Sequence, residues 1–83
     1  MEEKIIKEEI KVASESIVKK VKELVHEGNV RKIIIKKESG ESLLEIPLTL
    51  AVVGVVLAPV LAAVGALAAL ATDYILVIER KAE

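Results

Sequence analysis

IPLTLAVVGVVLAPVLAAVGALAALATDY, residues 46–74, carries no charged side chain before Asp73. Whether this run crosses a bilayer or packs inside a protein decides the fold. Its length suits a crossing, since a spanning helix needs about 20 apolar residues. Its composition suits one less well. The five Leu and six Val between Leu50 and Leu70 favour insertion by a few tenths of a kcal/mol each, about −5 kcal/mol in sum. Two glycines and Pro59 oppose that, and seven alanines add little. Insertion is marginal on these terms. No aromatic belt marks the ends either, because Tyr74 is the only aromatic residue.

The small residues of the run are more informative. Ala51, Gly54, Ala58, Ala62, Gly65 and Ala69 recur at steps of three and four, which gathers them on one helix face. Leu57, Val60, Val64 and Leu67 form the opposite, bulkier face. A stripe of small residues lets another backbone approach closely, so these six positions are the expected self-association surface. Propensity favours a helix more strongly over the alanine-rich second half than over the valine-rich first half. The segment is read as helical over residues 49–72, with Thr49 as N-cap and with Pro59 either kinking it or starting a second helix.

Upstream lies VRKIIIKKESGESLLEIPL, residues 30–48. Two β-prone runs flank Ser39-Gly40, the mark of a tight hairpin. A two-residue loop there sets Glu38 against Glu41, Ile35 against Leu44 and Ile33 against Ile46. That register collects Ile33, Ile35, Leu44 and Ile46 on one face. Pro47, which has no N–H for a ladder, is expected to end its strand or lie at an edge. Downstream, Tyr74, Ile75, Leu76, Val77 and Ile78 favour a third strand over residues 74–80. Placed antiparallel to residues 30–37, it gives a sheet of order 2-1-3. Both ends of the apolar run then lie on one sheet, whereas a single crossing would separate them. The run is therefore read as a core, shared between subunits.

The first segment, Glu2 to Glu27, reads as an amphipathic helix: Ile6, Ile10, Ala13, Ile17, Val21 and Leu24 recur at helical steps between lysines and glutamates. Gly28 supplies a C′ stop. The expected architecture is thus α+β, one domain over residues 1–83, with helix 2–27, hairpin 30–48, apolar helical segment 49–72 and strand 74–80. A core of this size usually needs support from a disulfide, a metal or a partner chain. With no cysteine and a single histidine, His26, a partner chain is the remedy left.

Taken together, VKELVHEGNVRKIIIK, LLEIPL and LAPVLAAVGALAALATD followed by a strand ending VIER resemble the prokaryotic family catalogued as domain of unknown function 4342. The resemblance covers nearly the whole chain and supports the architecture. It implies no activity.

The residues themselves offer little chemistry. Ser14, Ser16, Ser39 and Ser42 have no triad pattern around them, and Gly54 and Gly65 precede no Lys-Ser/Thr of a phosphate loop. No catalytic residue, cofactor site or metal site is expected, and no small-molecule substrate. His26 reads as a surface histidine near a helix end. Arg31, Lys32, Lys36 and Lys37 could touch phosphates of nucleic acid or lipid. A net charge of −1, absent stacking aromatics, and Glu38, Glu41 and Glu45 opposite speak against nucleic acid and for cross-strand pairing. The start, MEEKIIKEE, lacks an apolar leader, so the expected location is the cytoplasm. The expected function is a non-enzymatic, self-associating structural or scaffold module. The alternative is a small membrane-associated or single-span protein.

Overall fold

The computed structural model describes residues 4–48 and 57–81. Its N-terminal segment is not one helix. Residues Ile5–Ala13 form strand β1, a 3₁₀ turn follows at Ser14–Ser16, and only Ile17–Glu27 form helix α1. The remaining elements are β2 (Val30–Lys36), β3 (Ser42–Pro47), α2 (Leu57–Leu67) and β4 (Asp73–Lys81). The helix expected over 2–27 is therefore overturned, and with it the three-stranded sheet of order 2-1-3. Among the described residues the sheet has four strands in the order β1-β4-β2-β3, and every neighbouring pair is antiparallel. The general class is α+β.

β1 pairs with β4 along its whole length, from Ile5 opposite Lys81 to Ala13 opposite Asp73. Its lysines and glutamates favour a helix locally, but tertiary pairing overrides so weak a preference. In a strand, Ile10 and Val12 point to the same face as Tyr74 and Leu76 opposite them. Val12 is buried there, while Ala13, which the helical series placed inside, is exposed.

The hairpin of β2 and β3 joins Ile33 to Ile46 and Ile35 to Leu44, the pairs expected from alternation. Its loop is longer than two residues. The Gly40 N–H donates to the Lys37 carbonyl at 2.9 Å, and the Lys37 N–H donates to the Glu41 carbonyl at 2.9 Å. This is a three-residue loop closed by glycine in the left-handed region, with Gly40 at φ 98°. The loop shifts the register by one residue, and a bulge between Ile35 and Lys36 restores it by leaving Leu43 unpaired. A second irregularity shifts the register against β4 between Val30 and Lys32. It lets Val30 join Ile33 inside despite their odd spacing, and Val30 is buried. Gly40→Ala should cost about 1–2 kcal/mol, because any side chain is strained at that φ. An unchanged urea midpoint would mean that the loop is not built this way.

One face of the sheet carries both helices. Val12, Ile33, Ile35, Ile46, Tyr74, Leu76 and Ile78 pack there with Ile17, Val21, Leu24 and Val25 of α1 and Val64 of α2. α1 ends at Gly28, whose φ of 81° forms the left-handed C-cap. Among the described residues no helix covers the other face, where half-buried Ile34 lies opposite a buried Val77 and Ile75 is half-buried. β4 is thus apolar on both faces, as a central strand can be.

Residues 49–56 of the expected helical segment lie outside the described residues. Among the described residues α2 covers Leu57–Leu67 and gives way to a turn at 68–70, so the helix ends before the expected residue 72. Pro59 lies in its first turn, where a missing N–H costs nothing. The proposed cap Thr49 lies outside the described residues. Tyr74, the one aromatic residue of the chain, is fully buried, and its hydroxyl donates to the Leu67 carbonyl at the end of α2.

Candidate functional site

α2 meets the rest of the domain along one side. Val64 is buried, and Val60, Leu61, Leu67, Ala68 and Ala71 are partly buried against the core. The opposite side faces outward. Ala58, Pro59, Ala62, Ala63, Gly65, Ala66, Ala69 and Leu70 are all exposed, Leu70 to 68%. No ionisable group interrupts this surface, because residues 46–72 contain none. Four of the six stripe positions, Ala58, Ala62, Gly65 and Ala69, therefore point out of the domain. Ala51 and Gly54 lie outside the described residues. At Gly65 a Cβ would lie 3.9 Å from Val18 Cγ2 of α1, an ordinary contact.

Beside this surface, an apolar groove of about 380 Å³ runs between the edge strand β3 and α2. Leu44, Ile46, Pro47, Pro59, Val60 and Ala63 line it, with Glu45 at its margin. Edge strand, groove and helix face form a continuous apolar region rather than separate sites.

Arg31, Lys32, Lys36 and Lys37, the possible phosphate or lipid contacts, lie on or beside β2. Lys32 pairs with Glu45 at 3.3 Å across the hairpin, and Lys37 pairs with Glu41 at 3.5 Å across the loop. Lys36 is half-buried and Arg31 is exposed. His26 is exposed in the last turn of α1. Among the described residues, no three His, Cys, Asp or Glu side chains cluster as a metal site would require.

A charged cluster escaped the sequence reading. Arg80 on β4 donates to Glu8 on β1 and to Glu27 at the end of α1, and also to Asn29 Oδ1 at 3.3 Å. Glu27 first and Glu8 second raise the Arg80 pKa above its ordinary value. A raised pKa stabilises the fold throughout the range below the ordinary guanidinium value and loses that effect only as pH climbs through the folded value. The guanidinium thus adds no pH dependence near neutrality. The cluster ties three elements at one end of the sheet. Arg80→Met should lower stability by about 0.5–1 kcal/mol, less at high salt. Denaturation at two ionic strengths checks this, and a variant as stable as the parent at low salt would contradict it.

Across residues 3–80 the chain matches the family described as "Domain of unknown function (DUF4342)". The chain belongs to that family. No curated protein and no solved structure matches it. For this DUF4342 member the family description carries no activity, so function has to be argued from the apolar surface of α2. Among the described residues no helix is long and apolar enough to cross a membrane. The described residues of α2, at about 1.5 Å per residue, cover little more than half the thickness of a hydrocarbon core.

Proposed function

We propose that the protein is a non-enzymatic structural module that self-associates through the outward face of α2. One observation carries this reading: a helix without a charged residue exposes Ala58, Ala62, Ala66 and the adjoining Ala69 and Leu70. Monomeric proteins keep contiguous apolar patches small. Alanine at helical spacing leaves a shallow surface on which a second helix can settle at close range. The neighbouring groove enlarges the apolar area available to a copy. A two-fold contact of identical patches is the commonest solution for such a surface.

The cysteine-free chain makes a direct test simple. Ala66→Cys should form a disulfide-linked dimer on mild oxidation, because a two-fold axis along α2 brings the two copies of position 66 together. Failure to cross-link, with cysteines at 62 and 69 equally silent, would overturn the reading. A reproducible activity abolished by His26→Ala would overturn its non-enzymatic part.

Attachment to a membrane surface is the second reading. The uncharged face of α2 supports it, as do the exposed Lys19 and Lys22 on the adjacent α1. Flotation with anionic vesicles by a protein that stays monomeric in buffer would favour it. A single crossing is disfavoured by topology, because β3 and β4 both pair with β2.

A further inference from the structure

β1 is an outer strand of the sheet, with β4 on one side and, among the described residues, no strand on the other. Its free backbone groups are a template for another strand. We propose that β1 pairs antiparallel with β1 of a second copy, about a two-fold axis at Ile10, and so joins two sheets into one.

The charges of β1 select both the partner and the register. With the axis at Ile10, residues 7–13 of the two copies face each other. Ile10 then opposes Ile10, Glu9 opposes Lys11 twice, Glu8 opposes Val12 and Lys7 opposes Ala13. No like charges meet. Moving the axis to Glu9 sets Glu9 against Glu9 and Lys7 against Lys11. Moving it to Glu8 or Lys11 puts that residue against itself. Like charges directly opposed destabilise a strand pair, and opposite charges support it.

The two residues that would form the new ion pairs are not neutralised by β4. Glu9 faces Val77 and Lys11 faces Ile75. Lys11 has a 3.7 Å contact to Glu38, between exposed side chains. Glu8, by contrast, is held by Arg80, and in this register it opposes an apolar residue. Ile10, half-buried in one copy, would be covered by its own counterpart. The pairing uses a different surface from α2 and does not depend on it.

The test uses the full chain carrying Ala62→Glu, so that any α2 contact is removed. Ile10→Cys should oxidise to a disulfide dimer, since directly opposed residues in a strand pair come close enough for the bond, whereas Ile6→Cys should not. In the Ile10→Cys chain, Glu9→Lys or Lys11→Glu alone should lower cross-linking about tenfold, and the two together should restore it. Circular dichroism confirms that each variant folds. An Ile10→Cys chain that folds and stays monomeric would overturn the proposal, as would a double exchange no better than the single ones.

Discussion

Tyr74→Ala should unfold most of the domain at room temperature, or leave it only marginally folded. Tyr74 heads the largest fully buried side chains, and truncating a buried aromatic costs about 3–5 kcal/mol. A domain of this size holds only about 4–12 kcal/mol in total, at 0.05–0.15 kcal/mol per residue. The side chain fills the space between the sheet and the end of α2, and its hydroxyl holds the Leu67 carbonyl. Tyr74→Phe keeps the volume and loses the hydrogen bond. Because the Leu67 carbonyl still accepts from the Leu70 N–H at 2.9 Å, the phenylalanine variant should lose only about 1 kcal/mol. Urea denaturation followed by circular dichroism separates the two. Equal losses would mean that packing is not what Tyr74 contributes.

The second large effect is on assembly rather than folding. Ala62→Glu should leave the subunit folded and break the proposed α2 contact. Ala62 is exposed on α2, and glutamate is a good helix former, so the isolated subunit has little to lose. In an interface built on α2, however, each copy would bury a carboxylate without a partner, at a cost of several kcal/mol. That exceeds what a modest patch of alanine supplies. Gly65 is a less clean probe, since a larger residue there also presses on Val18 of α1. Light scattering should show a lower mass for Ala62→Glu than for the unmodified chain, no greater than that of a β1-paired dimer, together with an unchanged circular dichroism spectrum. An unfolded Ala62→Glu chain would show instead that position 62 is part of the monomer's own core.

The parts of this fold with short-range signals could be read directly from the residues. Ser39-Gly40 between two β-prone runs marks the hairpin, and alternation of Ile33, Ile35, Leu44 and Ile46 sets its core register. The loop's extra residue and the compensating bulge at Leu43 were not legible, because both registers place the same isoleucines inside. Gly28 marks the end of α1 for a local reason, the left-handed cap.

β1 was misread for two physical reasons. Ile6, Ile10, Ala13, Ile17, Val21 and Leu24 fit a helical period by chance, joining a strand and a helix into one apparent element. Strand alternation was also broken at Glu8, a charge on the helix-facing side. Its partner is Arg80, 72 positions away in sequence, and no local pattern reveals such a pair. The fourth strand, the sheet order and the charged cluster therefore became visible together, once β4 was seen between β1 and β2. The outward α2 surface was partly legible. The spacing of Ala58, Ala62, Gly65 and Ala69 indicates a shared face, but not whether that face turns towards the sheet or away from it.

Sedimentation equilibrium of the unmodified protein beside Ala62→Glu, in buffer without detergent and over a wide concentration range, tests self-association through α2 most directly. The unmodified chain should show a mass that is a multiple of the 9.0 kDa subunit, falling on dilution, while the variant should stay lower in mass at every concentration. Indistinguishable masses for the two chains throughout that range would contradict the account.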